Sequence, residues 1–152
     1  MSVLKSLLLH SLILTGNVAW GAASATRLIV NCLPETQPPP SNASVCFGKQ
    51  EGVPFTFWVL AVDANFQVVT NYTGAVHITS DDPTATLPVD HTFAASDGGV
   101  FPFVMTFNSV TTTFTPSPQI VTATDAQNAL SGFTAFLVSV RAVPQAPTLG
   151  FF

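Results

Sequence analysis

The sequence predicts an all-β protein, an antiparallel two-sheet β-sandwich of about seven strands. Three observations carry that reading. Apolar and polar residues alternate with period two in short runs along most of the chain. β-Branched and aromatic residues, 13 of them Phe, fill those runs, and 12 Pro and 9 Gly punctuate them. No window beyond residue 25 shows the periodicity of a helix.

The strands follow in order. Residues 27–32 form the first, and residues 54–63 the second, closed by the turn Ala64-Asn65-Phe66-Gln67. Residues 74–79 form the third, ending at Ser80-Asp81-Asp82-Pro83, and residues 91–93 a short fourth. The turn Ser96-Asp97-Gly98-Gly99 leads into the fifth, residues 99–107, before residues 119–125 and 133–140 complete the set. One domain over residues 26–141 fits the length of 152 residues. Its expected core holds Phe57, Val59, Phe103, Phe107, Val121 and Phe136. Residues 142–152 contain two prolines and no alternation, which reads as a tail, and the ending Leu149-Gly150-Phe151-Phe152 suggests a piece of a longer protein.

Charge narrows the function classes. Charged residues are 8% of the chain, against about 25% in an average soluble domain. Four basic residues against eight acidic ones exclude a nucleic-acid binder and a polybasic membrane-surface protein. Outside the N-terminal stretch no apolar run approaches the roughly 20 residues of a spanning helix, so no transmembrane span is expected in the mature chain. Residues 1–25 read as a secretory signal peptide. Lys5 supplies the positive charge, residues 7–14 the apolar stretch, and Ala23-Ser24-Ala25 the small-x-small cleavage pattern. The expected cut follows Ala25, with Gly21 as an earlier alternative. An uncleaved anchor is the competing reading, but His10, Ser11, Thr15, Gly16 and Asn17 interrupt the span.

A secreted or extracellular location favours pairing the only two cysteines, Cys32 and Cys46, as a disulfide. A metal or redox pair would need a C-x-x-C motif or further ligands at matching spacing, and neither occurs. The intervening segment holds Pro38-Pro39-Pro40, which suits neither helix nor ladder. No catalytic residue emerges and no cofactor is implied, so the chain reads as a non-enzyme. His77 and His91 lie in no catalytic motif, no Gly-x-Ser-x-Gly elbow occurs, and Glu35 and Glu51 flank the Pro-rich insert rather than face a cleft. Asn42-Ala43-Ser44 and Asn71-Tyr72-Thr73 fit the glycosylation sequon, but read here as loop polarity.

The segments 52–64 and 68–82 (Gly-Val-Pro-Phe-Thr-Phe-Trp-Val-Leu-Ala-Val-Asp-Ala and Val-Val-Thr-Asn-Tyr-Thr-Gly-Ala-Val-His-Ile-Thr-Ser-Asp-Asp) carry a resemblance. Together with Leu87-Pro-Val-Asp-His-Thr-Phe93, Asp97-Gly-Gly-Val100 and Val121-Thr-Ala-Thr-Asp125, they resemble the immunoglobulin-like repeats of bacterial secreted and cell-surface proteins. The insert and its cysteine pair depart from that family, as does a domain standing alone. The resemblance implies an immunoglobulin-like sandwich with a structural or adhesive role, and another surface protein or a glycan as partner. It places Phe55, Phe57, Val59 and Ala61 inward and makes His77 a packing residue. Thr56, Trp58, Leu60 and Val62 then face outward, so Trp58, Leu60 and Val62 form a candidate binding face for protein or carbohydrate. Cover of that stripe by the tail or the insert is the competing reading, and it leads. The same topology puts Asp63 and Asp125 at one pole with carboxylates within about 8 Å, a weak calcium candidate in which turn capping leads.

Overall fold

The computed structural model describes residues 24–32, 45–109 and 117–139. Within them lie eight strands: β1 (Arg27–Asn31), β2 (Val45–Gln50), β3 (Phe55–Val62), β4 (Ala75–Ser80), β5 (His91–Thr92), β6 (Val100–Met105), β7 (Ser117–Asp125) and β8 (Leu130–Ser139). A single 3-10 turn covers Ala95–Asp97, and no α-helix occurs among the described residues. The strands form two sheets, one ordered β1-β3-β6 and the other β2-β8-β7-β4-β5. The predicted signal segment up to residue 23, most of the insert and the tail lie outside the described residues; Ser24 and Ala25, at the expected end of that segment, are described.

The all-β reading holds, with two corrections. Strand β2 is additional to the seven expected, and it runs parallel to β8 while every other pairing is antiparallel. Its alternation is broken because the register shifts between Cys46 and Lys49, where Gly48 takes a φ of 74° that costs glycine little.

The six expected core residues are all buried. They belong to one cluster drawn from both sheets. At its centre Phe136 of β8 meets Phe55 and Phe57 of β3 and Phe107 beyond β6, with ring centroids 5.1, 6.1 and 5.8 Å away. Aromatic pairs at such separations add about 0.5–1.5 kcal/mol each beyond their buried area. Cys32, just past β1, and Cys46, in β2, are joined with Cα atoms 5.8 Å apart. The bond therefore ties an edge of one sheet to an edge of the other, and closing a loop of this length is worth about 3 kcal/mol.

Where β1 crosses β8 the backbones nearly touch. A Cβ on Gly132 would overlap the Leu28 carbonyl, and backbone on both sides leaves little room to give. Gly132→Ala is expected to destabilise by about 1–3 kcal/mol despite improved strand propensity. Urea denaturation of the variant checks this, and an unchanged midpoint would refute the close approach.

Candidate functional site

The stripe Trp58, Leu60 and Val62 is not a free face. Leu60 and Val62 are fully buried in a second, smaller core with Ile29, against which Trp58, Phe66, Val68 and Val100 pack. The cover comes from the segment after β3, which folds back along it. Val69 N–H donates to the Ala61 carbonyl, Val62 bridges Val68, and the Arg27 guanidinium caps Phe66 at 4.5 Å from its ring centre. Sequence reading assigned Phe66 to a turn and missed that its ring is a lid. Trp58 alone keeps partial exposure.

Asp63 and Asp125 both lie toward the start of β1, because Arg27 pairs with Val62 while Leu28 touches Gly132, the partner of Ala123. Each caps a turn. Asp63 Oδ1 accepts the Asn65 and Gln67 N–H groups at 2.8 and 2.9 Å. Asp125, fully buried, accepts Gln127 N–H and Asn128 N–H on Oδ1. Its Oδ2 accepts the Asn128 amide at 2.6 Å and the Tyr72 hydroxyl at 2.5 Å. Burial works against the Asp125 charge, yet these donors hold its carboxyl below the usual carboxylate range. Burial pushes the Tyr72 hydroxyl up, and the Asp125 hydrogen bond and charge add to it. That pair joins residues 53 apart in sequence, so no local spacing announces it. Beside it opens a cavity of about 240 Å³ lined in part by Ser24, Ala25, Asn71, Tyr72 and Asn128. Ligand pockets generally start near 300 Å³.

The histidines pair with carboxylates instead of with nucleophiles. His77 is exposed, with Nδ1 2.6 Å from Asp90 Oδ1, which corrects its reading as a packing residue. Its position on β4 faces outward in the register with Thr124, whereas its neighbours Val76 and Ile78 point into the core. His91 is half-buried, stacks on Phe101 with ring centroids 3.4 Å apart, and bonds Asp97 at 2.9 Å. Hydrogen bonds from Ala94 N–H and His91 hold the Asp97 carboxyl down. Among the described residues the hydrogen-bond partner of each ring is a carboxylate.

Beside half-buried Trp58, exposed Pro102 and Val104 continue its face on β6, and a second group of exposed apolar residues lies on the outer face of β2, β8 and β7. Phe47 is 72% exposed, Phe133 58%, Val45 44% and Ile120 42%. The ladder lines them up: Val45 pairs with Ala135, which pairs with Ile120, and Phe133 pairs with Thr122. Half-buried Leu137 and exposed Pro118 extend the row toward Phe47. The bulge at Gly48 sets this arrangement, leaving Phe47 outward while Cys46 stays inside and Lys49 turns its ammonium over the Phe55 ring at 4.9 Å. No Asp, Glu, Lys or Arg occupies an outward position of these three strands among the described residues. With Phe136 in the core, period two already turns Phe133, Ala135 and Leu137 outward; what sequence reading missed is β2, which brings Val45 and Phe47 alongside them.

Fold and surface together define a disulfide-linked, two-sheet β protein with an uncharged apolar face on β2, β8 and β7 among the described residues. No family model matches the chain, and no curated protein shows significant similarity to it. Among the described residues no helix is long and apolar enough to cross a membrane.

Proposed function

We propose that the chain is a secreted or surface-displayed, non-enzymatic immunoglobulin-like module with an adhesive or structural role, docking through the outer face of β2, β8 and β7. The observation that carries this reading is the pairing of two exposed phenylalanines with an uncharged surround on that face. Contiguous exposed apolar surface is costly in water and marks interaction sites in monomeric proteins. The strand order supports the immunoglobulin-like part: β1-β3-β6 opposite β8-β7-β4 follows the A-B-E and G-F-C neighbours of that sandwich. The disulfide supports an oxidising compartment. The carboxylates of Asp63, Asp82 and Asp125 accept backbone N–H groups from nearby loops and turns, which supports a non-catalytic role for them.

The test compares the purified chain with the double variant Phe47→Ser/Phe133→Ser on surfaces coated with glycans, with proteins and with alkyl groups. Both side chains are exposed, so the variant should melt within a few degrees of wild type. Wild type should be retained on at least one surface, with about tenfold less retention of the variant. Equal retention of the two proteins removes this face as the docking surface.

A further inference from the structure

We infer that the occupant of this face is an uncharged polysaccharide chain, an assignment that rests on the outer face being the docking surface. Shape is the first argument. Cys46 pairs with Phe136 in parallel register, so Phe47 stands near Leu137 and Phe133 lies four residues away along β8, roughly 13 Å. Between the two rings lies the small side chain of Ala135, paired with Val45 on one side and Ile120 on the other. Two exposed rings this far apart on an open sheet face suit a linear polymer better than a compact ligand.

Chemistry is the second. Pyranose rings present a C–H face that packs on an aromatic ring and hydroxyls that need partners at the edge. Hydroxyl-bearing Thr122 pairs with Phe133, and Thr79 pairs with Thr122, next along the sheet. Exposed Asp81 borders this face, its Oδ1 taking the Ile120 N–H at 2.8 Å. Glu51 lies at the far end of β2, its N–H bonded to the Ser139 carbonyl, and Asp90 sits beside His77 on β4. Among the described residues the outward positions of these strands carry no cation, the Lys49 ammonium being turned over the Phe55 ring, which disfavours nucleic acid, anionic lipid and uronic or sulfated glycans and leaves neutral sugars.

Area is the third argument, and it decides against a second copy of the chain. Three strands about 4.8 Å apart, over about five residues, give a platform of about 15 by 20 Å, on the order of 300 Å². A stable protein interface buries about 800 Å² on each partner. Weak, repeated contact along a polymer needs far less.

The experiment is co-sedimentation of the full chain with insoluble cellulose and chitin and affinity electrophoresis in soluble β-glucan. Sedimentation velocity runs in parallel, and each assay includes Phe47→Ser/Phe133→Ser and Trp58→Ser. The expected result is retention by at least one neutral polysaccharide, little changed by high salt. Retention should fall about tenfold in the double variant and persist in Trp58→Ser. Retention by none of these polysaccharides overturns the proposal. If sedimentation then shows a dimer that the double variant loses, the docking face stands with a second copy as its occupant. Retention by a polysaccharide that the double variant keeps overturns the proposal for this face.

Discussion

Replacing Phe136 by alanine is expected to lower stability by about 3–5 kcal/mol, as much as or more than the disulfide supplies. The side chain is fully buried, and its ring contacts three others contributed by β3 and the end of β6, so it fills the space between the sheets. Collapse cannot heal the cavity easily. Phe57 is held in register with Phe103, and Phe55 with Met105, by the β3–β6 ladder, so neither strand can shift inward without breaking pairs. Cys46, the β2 partner of Phe136, is held from the other side by its bond to Cys32. Urea denaturation of Phe136→Ala in the oxidised state, against wild type before and after reduction, ranks the two contributions. A loss below about 1 kcal/mol would mean that the aromatic cluster is not the centre of the core.

Much of this architecture is legible in the sequence because it depends on local alternation. The strands carrying Phe57, Phe103, Val121 and Phe136 declare themselves by period two, and all four residues are buried. Asp63 declares its turn because an Asx residue bonds backbone two to four positions on. Features that depend on distant chain are not legible. Strand β2 pairs with β8 about ninety residues later, and a bulge erases its alternation. For the Trp58 stripe the sequence offers the tail or the insert as cover, but the cover is Phe66 and Val68, in and just after a segment that reads only as a turn. The outer face was half legible. Phe136 in the core turns Phe133, Ala135 and Leu137 outward, but the strand that completes the face with Val45 and Phe47 is β2, whose pairing partner lies far along the chain.

Asp82 is the clearest such case, and it carries the second large prediction. Sequence places it in the turn after β4, yet it is 3% exposed and receives five hydrogen bonds. Oδ1 accepts Thr84 N–H, the Thr84 hydroxyl and the Ser109 hydroxyl, and Oδ2 accepts Asn108 N–H and Ser109 N–H at 2.7 and 3.0 Å. The carboxylate thus pins the β4–β5 connection to the chain leaving β6. Burial alone would raise its pKa, but the Ser109 and Thr84 donors outweigh it and hold it at about 2, down from 3.8. Asp82→Ala strands buried donors on two segments and is expected to cost about 3–5 kcal/mol at neutral pH. Asp82→Asn keeps the shape but turns an amide N–H toward groups that themselves donate, so it should recover little. The sign of the pH dependence follows from the lowered pKa. Stabilisation by the charged form is full above about 3.8, the unfolded value, and is lost as pH falls through about 2; by linkage it amounts to roughly 2 kcal/mol. Asp125 titrates in the same direction, so wild type alone cannot isolate the effect. The difference between wild type and Asp82→Ala does isolate it. That gap, measured by urea denaturation, should stay constant from pH 7 to pH 5 and narrow by roughly 2 kcal/mol on reaching pH 2. A gap independent of pH would show that the ionised carboxylate is not what holds the two segments together.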